Sequence, residues 1–92
     1  MNERDFAELL ATVRDAGVTE QQVTIVRRAA QRSYFTVHQV VALMSVTRVE
    51  EARIELAVTA GERIVDPEHW FMVERAFVFA ASAETVRERL GR

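Results

Sequence analysis

The side chains best suited to chemistry in this 92-residue chain are two histidines, a carboxylate-rich stretch and an arginine cluster. His38 and His69 are the only imidazoles, and there is no cysteine. A zinc site needs three or four convergent ligands, commonly two on successive helical turns. Neither a His-x-x-x-His nor a Glu-x-x-His pair is present, and Glu68 and His69, as sequence neighbours, face apart on a helix. No metal or other cofactor is therefore expected. Glu50, Glu51 and Glu55 could serve acid–base catalysis only with a shared pocket and opposed pKa shifts. Arg48 and Arg53 interleave with them at helical spacing, the pattern of a solvated, ion-paired face. No Gly-x-Ser-x-Gly elbow activates a serine, and the three isolated glycines form no phosphate-cradling loop. The residue types point away from an enzyme.

What remains can bind. Arg27, Arg28 and Arg32 cluster at the end of one predicted helix, either as an anion or acidic-partner site or as cations favouring the helix C-terminus. Phe71 falls outside the apolar arc of its predicted helix. It is covered by the last helix or serves as a docking residue at a subunit or partner interface, where aromatics concentrate binding energy. Tyr34 and Phe35, in a predicted linker, pose the same choice.

Those side chains must be positioned by helices. Only three Gly and one Pro occur, and apolar residues recur at helical spacing, so the class is all-α. Asn2 is placed to cap a first helix whose buried stripe is Phe6, Leu9, Leu10 and Val13, ended at Gly17. Thr19 with Gln22, Thr36 with Gln39 and Thr47 with Glu50 each have the spacing of a capping box. The first opens a helix with Val23, Val26 and Ala30 on one face. The second opens a short helix with Val37, Val40, Val41 and Met44. The third opens a helix bearing Val49, Ala52, Leu56 and Ala60 on one side and Ile54 and Val58 on another, weakened or ended at Gly61. The stretch from Asp66 to Phe79 holds four of the seven aromatic residues. Asp66 and Pro67 mark a helix start, and Trp70, Val73 and Phe77 share a face. That face is predicted to plug the core, with Trp70 and Phe77 buried. Ser82 is predicted to cap a last helix anchored by Val86 and Leu90, with Gly91 and Arg92 as a frayed end. The expected architecture is a compact orthogonal array of about six short helices in a single domain, residues 1–92.

The formal net charge is −2, and every one of the 12 basic residues is arginine. A nucleic-acid binder needs a positive field, so nucleic acid is not an expected partner. No apolar run approaches the ~18 residues needed to span a bilayer, so no membrane insertion is expected. With Met1 as the native start, the expected location is the cytoplasm.

The order and spacing of these residues resemble the domain-of-unknown-function 4476 family, small helical domains of bacteria and some eukaryotes. The likeness runs from about Phe6 to Leu90. It rests on Phe6 with Leu9 or Leu10, on Thr36, Gln39 and Val40, and on Asp66 followed by Phe77-Val78-Phe79-Ala80-Ala81-Ser82. His69 stands where the family often has asparagine. The resemblance implies a helical fold and carries no activity or catalytic residue with it. Family members often follow a secretion signal or membrane segment. The functional expectation is a non-catalytic protein-interaction or scaffold domain, with a protein partner or self-association. The alternative is a small-ligand-binding or enzymatic domain with an apolar pocket near Trp70.

Overall fold

In a computed structural model describing residues 1–92, six α-helices and one 3₁₀ turn account for the regular structure: α1 (Glu3–Ala16), α2 (Thr19–Ala30), α3 (Val37–Ser45), α4 (Glu50–Gly61), the 3₁₀ turn Pro67–His69, α5 (Phe71–Glu74) and α6 (Ala80–Leu90). The fold is all-α. The only bridge between extended segments is an isolated parallel one joining Phe35 and Ile64. The radius of gyration is 11.8 Å, close to the roughly 12 Å of a compact chain this long.

Helix α4 is the hub, packing against α2, α3 and α6. Its two apolar sides explain this: Ala52, Leu56 and Ala60 are buried, and Ile54 and Val58 pack partly buried against the same core. Small residues at Ala57, Ala60 and Gly61 let neighbours approach closely. A Cβ on Gly61 would sit 2.7 Å from Cη2 of Trp70, so glycine there makes room for the indole. The apolar stripe of α1 covers α2 and α3 through Val13, with Phe6, Leu9 and Leu10 partly buried.

The aromatic stretch departs from the expected continuous helix. It forms the 3₁₀ turn, then the single turn α5, then turns and bends up to α6. Val73 is the fully buried residue of this segment. Trp70 and Phe77 pack against the core but stay partly exposed, and the largest fully buried side chain is Phe35 from the α2–α3 link. The link is held by backbone: Phe35 N–H donates to Arg63 at 2.7 Å, and Val65 N–H donates to the Phe35 carbonyl at 3.0 Å. This pairing sends the Phe35 ring inward and leaves Tyr34 exposed.

The caps also differ from expectation. Asn2 and Gly17 do as predicted: Asn2 accepts from Asp5 N–H at 2.8 Å, and Gly17 takes a left-handed φ of 69°. Thr36 and Gln39 form the reciprocal box, at 3.1 and 3.0 Å. Thr19 is already inside α2 and makes no cap, because Gln22 is drawn into the core to donate to the Val13 carbonyl at 3.0 Å. Thr47 precedes α4 by too much to cap it and accepts only from Val49 N–H, at 3.3 Å. Ser82 lies in the first turn of α6, which starts at Ala80. The end of the chain is not frayed. Gly91 has φ 72°, Gly91 N–H donates to Glu88 and Arg92 N–H reaches back to Arg87 at 2.9 Å, a Schellman closure. Arg92 then donates to the Gly61 carbonyl at 3.0 Å and lies over the Trp70 ring.

Candidate interaction surfaces

Two carboxylates, Glu50, expected on a solvated face, and Asp66, expected to cap its own helix, each tie together separate elements. Glu50, the first residue of α4, sends its carboxylate to the start of α6. There Oε2 accepts from Val78 N–H at 2.9 Å, Phe79 N–H at 3.0 Å and the Ser82 hydroxyl at 2.9 Å. Its Oε1 is buried without a hydrogen bond and faces Arg53 Nη1 at 3.9 Å. Burial pushes the Glu50 carboxyl up. The donors from Phe79, Ser82 and Val78, with the Arg53 charge, outweigh that and hold it below its ordinary value. Glu50 therefore departs from the expected solvated face. Glu55 fits that expectation better, forking with Arg89 at 2.5 and 3.1 Å across to α6.

Asp66 behaves like Glu50. Its Oδ1 accepts from Val37 N–H, the first residue of α3, at 2.8 Å, and its Oδ2 faces His69 Nδ1 at 3.1 Å. Burial raises its pKa, but the His69 and Val37 hydrogen bonds bring it below the ordinary range. Asp66 thus caps a helix 29 residues earlier in the chain rather than its own.

These contacts fix an edge of the molecule. Because one carboxylate oxygen holds both Val78 and Phe79 by their backbones, the beginnings of α4 and α6 lie together. Both beginnings carry outward apolar side chains: Val49 is 53% exposed, Val78 69% and Phe79 62%. A helix through Phe77 with Phe77 in the core marks no exposed surface at Val78 or Phe79, so the spacing alone does not predict this edge. The signal available was the unbroken apolar pair Val78-Phe79 ahead of a helix start. Phe71, expected to be covered by the last helix or to dock a partner, is 49% exposed on α5.

The predicted arginine cluster is divided. Arg27 lines an open groove of about 450 Å³ between α2 and α4, with Gln31, Glu55, Thr59, Arg63 and Arg89 among its walls. Arg28 points to a shallow cleft beside Glu20, Gln21 and Thr24 on the neighbouring face of α2. Arg32 is exposed beyond the helix end. Consecutive helical residues diverge by about 100°, which separates Arg27 from Arg28. Arg63 and Arg89 join Arg27 only through the packing of α4 and α6, and no sequence spacing signals that.

The imidazoles lie apart in function. His38 is exposed in the first turn of α3, at the rim of an open cleft of about 720 Å³ that Phe6 and Leu10 also line. His69 has Asp66 as its one hydrogen-bond partner. No group of three or more His, Asp or Glu side chains converges in metal-binding geometry. Trp70 lines none of the five principal clefts. It packs on Gly61 and Leu90, beneath Arg92, and its indole N–H is buried without an acceptor. In the alternative reading with an apolar pocket near Trp70, the nearest cleft along the chain is instead lined by Met72, with Val41, Arg75 and Ala76. No helix is long and apolar enough to cross a membrane.

Fold and surfaces together define a small all-α domain built around one central helix, with carboxylates spent on helix starts. The chain belongs to the family described as a domain of unknown function (DUF4476), whose family model matches residues 1–90. Searches of curated proteins and of solved structures return no match.

Proposed function

We propose that this domain is a non-catalytic protein-interaction module, and that its docking edge is formed by Val49, Val78 and Phe79. The observation that carries this is the exposure of three apolar side chains at two helix starts that a single, partly buried carboxylate ties together. The Glu50 hydrogen bonds hold the backbone of Val78 and Phe79 in place, so little order is lost when a partner covers those side chains. An exposed aromatic alone is ordinary; Phe79, held on a fixed backbone beside exposed Val78 and Val49, is the kind of aromatic anchor on which interface energy concentrates.

The non-catalytic part of the reading rests on how the reactive groups are used. Asp66 and His69 pair, but no hydroxyl is hydrogen-bonded to that imidazole. Ser82 and Glu50 pair, but no imidazole joins them, and a carboxylate with a lowered pKa is a poor base. Each half of a charge-relay arrangement occurs without the other.

The test is in-cell crosslinking and capture with wild type and Phe79→Asp, beside light scattering on both. A captured protein, or a dimer, that is lost in Phe79→Asp while the circular dichroism spectrum and melting curve stay unchanged is the expected result. Capture and oligomeric state that are the same for both chains would remove this edge as the docking site.

A further inference from the structure

The groove between α2 and α4 has no role in that edge, and its charges are not balanced. Three guanidinium groups line it, from Arg27, Arg63 and Arg89, against the carboxylates of Glu55 and Glu62. Arg89 is matched by its fork with Glu55. Arg27 and Arg63 have neither an ion pair nor a side-chain hydrogen bond within the chain, and Arg63 is nonetheless held in place. Its guanidinium carbon lies 4.2 Å above the centre of the Tyr34 ring, and its carbonyl accepts from Phe35 N–H at 2.7 Å. Its Nε is buried with no acceptor. A stacked, partly desolvated guanidinium without an anion is an unfavourable arrangement that a carboxylate corrects, because the planar fork matches carboxylate geometry.

We propose that the α2–α4 groove binds a carboxylate side chain of an acidic peptide segment, held between Arg27 and Arg63. This rests on the interaction-module reading and adds a second, polar contact to it. The charge count selects the ligand class. Three arginines against two glutamates leave one positive charge in excess, which suits a single carboxylate. A phosphate dianion would meet Glu55 and Glu62 as well, and a nucleic-acid backbone needs a continuous positive track. The groove is open to solvent on one side, which suits a peptide segment more than an enclosed metabolite.

The test uses the full chain, labelled with nitrogen-15, at low ionic strength. The probes are an acetylated, amidated Gly-Ser-Glu-Glu-Ser-Gly peptide, its Gln-for-Glu counterpart and inorganic phosphate. The Glu peptide is expected to move the Nε–Hε resonances of Arg27 and Arg63 saturably, and the Gln peptide to leave them in place. Arg27→Gln and Arg63→Gln should each weaken binding about tenfold, the equivalent of one charge-assisted hydrogen bond. Arg28→Gln, on the adjacent face, should bind as wild type does. No movement with the Glu peptide, equal movement with the Gln peptide, or stronger binding of phosphate would each overturn the proposal. Capture and oligomeric state unchanged by Phe79→Asp would sink the apolar edge and leave this titration untouched, so the two readings fail separately.

Discussion

The starts of α1 and α3 are capped by their own neighbours in sequence, whereas the start of α6 is capped from α4. Asn2 and Thr36 reach three residues along the chain, to Asp5 and Gln39. Glu50 reaches across a separation of 28 residues to Val78, 29 to Phe79 and 32 to Ser82. A local cap forms as its helix forms and loses little when the rest of the fold is perturbed. A remote cap exists only once both helices are docked, so it links the stability of one element to the placement of another. Helix α3 has both kinds, since Asp66 adds a remote acceptor at Val37. The proposed docking edge sits on the remote kind, and that makes its geometry a property of the whole fold.

The largest test of this contrast is Phe35, whose backbone joins the two halves at Arg63 and Val65. Its side chain is 0% exposed. Phe35→Ala should cost about 3–5 kcal/mol through lost burial and the cavity left behind. Phe77→Ala, in the aromatic stretch, should cost clearly less because that ring is only partly buried. Paired urea melts of the two variants check the order. A larger loss for Phe77 would return the core to the aromatic stretch, as the sequence suggested.

Next in size is Glu50. Glu50→Ala leaves two backbone N–H groups and a buried hydroxyl without their acceptor, and should cost about 1.5–3 kcal/mol, the range for hydrogen bonds to a charged group. Because folding lowers the pKa of Glu50, and of Asp66 likewise, the folded state binds fewer protons than the unfolded one. Their stabilisation is therefore complete above the ordinary carboxylate values of 4.5 and 3.8 and is lost as pH falls through the lowered native ones. Urea melts between neutral pH and pH 3 should show wild type losing stability faster than Glu50→Gln. Parallel slopes would mean that the carboxylate is not the group that titrates.

The difference between local and remote caps also explains how far the sequence could be read. Class, helix number and the local signals at Asn2, Gly17, Thr36 and Gly61 are set by residues within a turn of each other. So are the apolar stripes of α1, α2 and α4, except for Val49, which precedes α4 and is exposed rather than on its buried side. The partners of Glu50, Asp66 and Arg63 lie on other elements, and no periodicity encodes them. Beside its sequence neighbours Arg48 and Arg53, Glu50 has the spacing of a surface residue. Arg27, Arg28 and Arg32 are close in sequence, but the groove joins Arg27 to Arg63 and Arg89 instead. Trp70 packs against the core as its spacing predicts, but how deep it goes depends on the slot that Gly61 opens for the indole on α4, a fit visible only once two helices are packed. Capping boxes failed where a competing partner was stronger: Gln22 goes to the Val13 carbonyl and Glu50 to α6.

The smallest effect separates two threonines with the same sequence signature. Thr36 accepts from Gln39 N–H, and Gln39 returns the bond to Thr36 N–H. Thr36→Ala removes one acceptor of that box and should cost about 1 kcal/mol. Thr19 has Gln22 at the same spacing, yet α2 begins with Thr19 itself after Val18, and no side-chain bond closes its start. The first N–H groups of α2 therefore lose nothing when the hydroxyl goes, and alanine is the better helix former inside the first turn. Thr19→Ala should fall within about 0.5 kcal/mol of wild type, as substitutions away from caps and core do. Gln22→Ala should then exceed Thr19→Ala, since it strips a buried carbonyl of its donor. Thermal melts of the three variants decide the matter: an equal loss at Thr19 and Thr36 would show that α2 starts with a working box, and that the local half of the molecule is more uniform than argued.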